Sequence, residues 1–239
     1  MPTKSTKKAG AHVAQPKKVY PTFDNLKTYA IDEALKILAS MPAAKFDETV
    51  EVAFKLGVDP KYNDQMVRGV VALPHGTGKT VRVAVAAKKQ ADLDAAKAAG
   101  ADVVGEADLL AAIEAGNINF DKLIATPDMM PSLGKVARIL GPKGLMPNPK
   151  LGTVTPNVAQ AVKALKGGQI EFKVEKAGIV HAGVGKRSFG EKKLAENIKA
   201  LVAAIKAAKP TGAKANYMQR ITISATMSKG VKVDLSSVL

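Results

Sequence analysis

Cysteine and tryptophan are both missing from the 239 residues, and only 4% of the chain is aromatic. Without cysteine there are no disulfides and no thiolate metal ligands, and a reducing compartment is compatible. The shortage of rings argues against a platform that stacks successive unpaired bases. No apolar run reaches the ~18 residues that a membrane-spanning helix needs, so no membrane partner is expected. The opening "MPTKSTKKAGAHVAQPKK" is basic and lacks the apolar stretch of a signal peptide. Residues 1–19 therefore read as a disordered basic arm, and the chain as cytoplasmic. Acidic residues are also scarce: 21 Asp and Glu stand against 36 Lys and Arg, a formal charge of +15 with a pI near 9.8. Such an excess repels itself unless a polyanion relieves it, which makes nucleic acid the leading class of partner. The 46% of hydrophobic residues is ordinary for a soluble protein, and the length suits one or two domains.

One stretch invites an enzymatic reading. In "LPHGTGKTVRV" (73–83), Gly78-Lys79-Thr80 ends like a phosphate-binding loop, GxxxxGK[ST]. The first glycine of that pattern is replaced by Leu73. The loop must also open into a helix whose amides hold the phosphates, yet Val81-Arg82-Val83-Ala84-Val85 alternates and is β-branched, as a strand is. A hinge or turn is the better reading, with Gly76 and Gly78 there for positive φ. A nucleotide-binding α/β enzyme is the disfavoured alternative. His12, His75 and His181 have no metal-ligand spacing, Ser188 and Ser224 have no nucleophile context, and nothing requires a cofactor. The chain reads as non-enzymatic.

Periodicity divides the chain. "IDEALKILAS" (31–40) is an amphipathic helix, "TVEVAFKLGV" (49–58) a half-buried strand, and "VRGVVAL" (67–73) a second strand. From Pro74 the pattern changes to alternating strands and helices: strands at 81–87, in "ADVVG" and in "DKLIATP", helices ending on Gly100 and Gly116, and a helical stretch, "MMPSLGKVARILG", interrupted by proline. That is a small Rossmann-like βαβ unit with a parallel sheet. Near 163–169 the pattern changes back. "QIEFKVE" and "IVHAGVG" alternate like a hairpin about Ala177-Gly178, "GEKKLAENIKALVAAIKAAKP" is a long amphipathic helix stopped by Pro210, and "RITISATM" turns Ile221, Ile223 and Ala225 to one side.

The first 74 residues offer too few strands to close a core, and the last 70 supply strands of the same kind. The expected architecture is therefore α+β with α/β: a discontinuous domain (1–74 and 168–239) with an antiparallel sheet, into which an α/β domain (75–167) is inserted. The two connections form a hinge at Pro74, Gly76 and Gly78 and at Gly167 and Gly168. The end segments carry net charges of +3 and +8 and the insert +4, so the nucleic-acid face is expected on the discontinuous domain.

Three stretches there carry binding chemistry. "AKFDETVEV" puts Lys45 and Phe46 at a strand entrance. The hairpin offers Lys173, Lys176, Lys186, Arg187, Ser188 and Phe189. "TISATMSKG" offers Thr222, Ser224 and Thr226 on one strand face, followed by Met227, Ser228 and Lys229. Short hydroxyl side chains suit ribose 2′-OH groups and flanking cations suit phosphates, so a folded RNA fits better than single strands. A general basic nucleic-acid binder is the alternative.

"KFDETVEV", "LPHGTGK", "ILGPKGLMPNPKLGTVT", "IEFKVEKAG" with "VHAGVGK", and "SATM" occur in this order. On these stretches the sequence resembles the ribosomal large-subunit protein L-one family from about Tyr20 onward. The resemblance implies a terminal domain that binds folded large-subunit rRNA of the mobile stalk. It also implies assistance to deacylated tRNA leaving the exit site, and repression of translation by binding the protein's own operon mRNA. It implies a monomer off the ribosome. Carried over, the RNA-binding positions are Lys45, Phe46, Thr49, Glu51, Lys173, Lys176, Lys186, Ser188, Thr226 and Met227. His181, Thr222, Ser224 and Ser228, on or beside the same strands, complete the expected set. The family commonly reads Thr-Met-Gly-Pro where this chain has Thr226-Met227-Ser228-Lys229. A Cβ at Ser228 would obstruct a close backbone approach, while Lys229 adds charge. The "GPKGLMPNPK" loop belongs to the insert and is given no primary rRNA role.

Overall fold

The structure is a computed structural model that describes residues 21–210, 212–213 and 216–238; the expected basic arm lies outside them. The helix α1 (Ile31–Ser40) buries Ile31, Ala34, Leu35 and Leu38, the spacing of one helical face. It is followed by β1 (Thr49–Leu56), whose Val50, Val52, Phe54 and Leu56 are all buried, and by β2 (Arg68–Ala72). The alternating segment comprises β3 (Val83–Ala86), α2 (Gln90–Ala98), β4 (Val103–Gly105), α3 (Ala107–Glu114), β5 (Lys122–Ala125), α4 (Met130–Leu140) and α5 (Val158–Lys166). The chain then returns through β6 (Gln169–Lys173), β7 (Ile179–Lys186), α6 (Glu191–Ala207), β8 (Met218–Ala225) and β9 (Val231–Val233).

Three sheets result. An antiparallel sheet runs in the order β7-β1-β8-β9, β2 pairs with β6 as an antiparallel ribbon, and β4-β3-β5 is parallel. Helices α1 and α6 pack on one face of the four-stranded sheet, and their core draws on residues 31–67 and 172–233. Both faces of the parallel sheet are covered, one by α3 and α4, the other by α2 and α5, and those cores draw only on residues 83–165. The antiparallel and parallel sheets thus agree with the sequence reading.

Three local expectations change. Pro131 does not interrupt a helix: it sits in the first turn of α4, where its missing N–H leaves no hydrogen bond unmade. The segments 169–175 and 179–185 are not one hairpin. They share a single bridge, Val174 to Val180, and then diverge, β6 to β2 and β7 to β1. Local alternation marks a strand but does not name its partner. The short α5 and β9 went unread.

Asp102 ties Val83, at the start of β3, to Lys166, at the end of α5. Its Oδ2 accepts from Val83 N at 2.9 Å and from Lys166 Nζ at 3.1 Å. The Val83 N–H, then the Lys166 ammonium, hold this carboxyl below its ordinary value. That stabilisation is full above the ordinary carboxylate range, near pH 4, and is lost as the pH falls through the lowered folded value. Asp102→Asn should therefore cost less than about 1 kcal/mol at pH 7, the pair being exposed. The difference in melting temperature should shrink as the pH falls through that lowered value. Melts of both proteins at pH 7 and in acid check this; a gap that persists in acid would remove the carboxylate as its source.

Candidate nucleic-acid interface

The outward face of the four-stranded sheet collects much of the expected set, because strand alternation sends every second residue there. Antiparallel pairing lines them up in rows. Gly183, Glu51 and Ser224 form one row, and His181, Ala53 and Thr222 the next. Thr49 stands opposite Lys186, and Thr226 N donates to Thr49 O at 3.1 Å just past the end of β8. A bulge between Val50 and Glu51 inserts Val184 into β7 and bends that end of the strand.

At this end the functional groups are already engaged with one another. Lys186 Nζ donates to Thr49 Oγ1 at 3.0 Å and to Asp47 O at 3.3 Å. The Thr226 hydroxyl accepts from Thr49 N at 3.1 Å and donates to Thr49 O at 3.3 Å. Ser188 Oγ donates to Asp47 Oδ2 at 2.7 Å, and its N–H to Asp47 Oδ1 at 3.2 Å. The Ser228 hydroxyl folds back, accepting from Ala225 N at 2.7 Å, so this side chain closes the 225–228 turn. Phe46 is 54% exposed and Met227 53%, an aromatic and a thioether flanking the Thr49–Thr226 pair, with exposed Lys45 alongside. These two exposed apolar groups on a hydroxyl-rich, cationic edge are what a folded RNA surface can pack against.

Not every expected residue joins that edge. Lys176 lies in the 175–178 turn, which meets the opposite end of β1 through Lys55 Nζ and Ala177 O, roughly 20 Å away along the strand. Arg187 turns inward. Its Nη1 bonds Glu48 Oε2 at 2.7 Å, and its Nη2 bonds the carbonyls of Ala39 (2.8 Å) and Met41 at the end of α1. Glu48 is 1% exposed, so this guanidinium serves the fold and not a phosphate.

The connections between the sheets are equally defined. Gly76 (φ 66°) and Gly78 (φ 71°) take the left-handed backbone expected of them, and Thr80 leads through Val81 and Arg82 into β3. No helix follows the lysine, as the sequence required. Gly76 and Gly168 touch backbone to backbone, and Leu73 N bonds Gly168 O at 3.4 Å. The fully buried Asn197 of α6, absent from the sequence reading, clamps this crossing. Its Oδ1 accepts from His75 N (3.1 Å), and its Nδ2 donates to Gly76 O (3.0 Å) and Val184 O (2.7 Å). A polar residue on the apolar side of an amphipathic helix was the one available signal. Between this crossing and the sheet face lies a cleft of about 460 Å³, lined among others by Thr49, Lys79, Lys122, Glu171, Lys173 and His181. Lys122 Nζ and Glu171 Oε2 form an ion pair of 3.3 Å across it.

Among the described residues no helix is long and apolar enough to cross a membrane. A family model for the Ribosomal protein L1p/L10e family matches residues 37–229 of the 239. The match takes in β1, the 73–80 loop, the Gly/Pro-rich 141–152 segment, β7 and the 225–228 turn, so the chain belongs to the Ribosomal protein L1p/L10e family, one of large-subunit rRNA-binding proteins and not of enzymes.

Proposed function

We propose that this protein binds a folded segment of large-subunit rRNA in the mobile stalk through the edge formed by Lys45, Phe46, Thr49, Lys186, Thr226 and Met227. The supporting observation is the preformed network joining Lys186, Thr49 and Thr226 between two exposed apolar side chains. Glu51, Ser224, His181 and Thr222 extend the same face, Lys173, Ser188 and Ser228 lie around it, and Lys176 stands at its far end. Segments 1–74 and 168–239 act as one domain, residues 75–167 as a second. The separate cores on either side of the β2–β6 ribbon support that division. Because Asn197 pins His75 and Gly76, the hinge turns after Gly76, through Thr77–Thr80, and at Gly167-Gly168. In this reading the protein, a monomer off the ribosome, assists release of deacylated tRNA and represses its own operon mRNA through a similar RNA fold.

The test is salt-titrated binding to a transcript of the stalk rRNA and to a scrambled duplex of equal length. Wild type is expected to prefer the stalk transcript by ~10³ or more. Phe46→Ala should cost about tenfold on the stalk transcript, with an unchanged melting temperature and salt slope, because the ring is exposed and uncharged. Thr226→Val is the poorer probe, since the hydroxyl it deletes also joins β8 to β1. Equal binding of both RNAs, indifferent to Phe46, would leave only a general polyanion binder.

A further inference from the structure

The cleft beside this edge is a cationic slot with one acidic occupant. Lys79 and Lys122 enter it from the 75–167 segment and Lys173 from β6; Glu171 is the only carboxylate among its lining residues. Among the described residues Lys79 and Lys173 have no ion-pair partner, whereas Lys122 is held by Glu171. Gly183 lies on the β7 wall of the cleft, half-buried with only Thr49 near its missing side chain, which lets a ligand's backbone come close. A carboxylate paired with one of the cleft's three lysines presents the charge of a phosphate oxygen to that ammonium.

We propose that the inserted segment supplies Lys79 and Lys122 to the RNA site, and that Glu171 keeps Lys122 occupied as a phosphate stand-in until an RNA backbone displaces it. This rests on the RNA-binding reading above. The exchange is easy: both side chains of the pair are 34% exposed, and such a pair shifts an equilibrium by less than about fivefold. It also carries a consequence for the waist. Lys122 begins β5 of the parallel sheet and Glu171 lies on the β2–β6 ribbon, so RNA that takes Lys122 from Glu171 replaces a protein–protein tie with a protein–RNA tie. Arrival of RNA is thereby coupled to the disposition of the insert.

A double-mutant cycle on the full chain tests it, with the stalk rRNA transcript as probe. Glu171→Gln should tighten binding about 2- to 5-fold and steepen the log–log salt slope by up to roughly one. Lys122→Gln should weaken binding by a similar factor. In the Lys122→Gln background, Glu171→Gln should gain less than about twofold, because its partner is gone. An equal gain in both backgrounds would make Glu171 a diffuse repelling charge and overturn the proposal, as would no gain in either. Displacement of the transcript by millimolar ATP, with the same dependence on Glu171, would make the cleft a nucleotide site and overturn it too. Failure of the RNA-binding reading has a different signature, loss of preference for the stalk transcript over the scrambled duplex. Thermal melts of each variant confirm that all four proteins are folded.

Discussion

Arg187→Met is expected to lower the free energy of unfolding by about 3–5 kcal/mol, the range for stripping the partner from a buried charge. For a chain of this size that corresponds to a fall in melting temperature of about 6–20 °C. The Glu48 side chain is wholly inaccessible, and one of its oxygens, Oε1, has no hydrogen-bond partner among the described residues. Arg187 supplies the charge that the other oxygen meets. Its second nitrogen also satisfies two carbonyls at the C-terminal end of α1, where a cation is favourable to the helix dipole as well. Methionine keeps most of the volume, so the loss isolates charge and hydrogen bonds from packing. Replacing both residues, Glu48→Gln with Arg187→Met, should recover at least half of the loss, because the amide is neutral. Urea melts of the wild type and the two variants decide the matter. A cost below about 1 kcal/mol for Arg187→Met would show that the guanidinium anchors nothing. If Arg187 were instead a phosphate contact, the same substitution would leave stability alone and flatten the salt dependence of RNA binding.

This residue also marks where local pattern stops being informative. In the sequence Arg187 sits beside Lys186 and Ser188 in a cationic stretch, and residue type alone assigns all three to solvent and phosphate. Its partners are Glu48 and the end of α1, some 140 positions earlier, so nothing nearby in the chain distinguishes it. Thr226 is similar: the alternation of "RITISATM" correctly sent its neighbours Thr222 and Ser224 outward, but its engagement with Thr49 across 177 positions is a tertiary fact. The same holds for β6, whose alternation was legible while its pairing with β2 was not. Where the structure is set by short-range chemistry, the sequence sufficed. The bounds of α1, the buried face of β1 and the strand after Lys79 all follow from apolar period and β-branching.

Short elements escaped for a related reason. The β9 strand is three residues long, too few for alternation to register, and is held by pairing to β8. In α5 the buried positions Val158, Val162 and Leu165 have helical spacing, and Asn157 caps the helix by accepting from Gln160 N at 3.3 Å. That signal was present, but it directly follows the Gly/Pro-rich 141–152 segment, whose turn composition dominated the reading. Asn197 differs from both. Its helix was recognised, yet its function as a clamp depends on two backbone segments brought to it by the fold.

The Gly76–Gly168 crossing is where a single methyl group should have the largest consequence for the arrangement of the chain. A Cβ at Gly168 would lie 2.4 Å from Gly76 Cα and 3.3 Å from Thr77 N, and the backbone φ there is +93°. Gly168→Ala therefore carries two costs. The left-handed backbone disfavours alanine by roughly 1–2 kcal/mol, and the clash with rigid backbone adds about 1–3 kcal/mol more. Gly116→Ala separates them: φ there is +83°, but nothing lies within 4 Å of the added Cβ, so only the first cost of about 1–2 kcal/mol is expected. The excess at Gly168 should appear as displacement of the 73–81 connection, because the Leu73–Gly168 hydrogen bond and the Ala72–Gln169 pairing both adjoin the new methyl. Limited proteolysis of that connection should accelerate in Gly168→Ala and not in Gly116→Ala. The edge built from Thr49, Lys186 and Thr226 is held by the β7-β1-β8 pairing and not by this crossing, so Phe46-dependent binding of the stalk transcript should survive while the effect of Glu171→Gln shrinks. Equal costs for the two alanines would mean that the two connections do not press on each other.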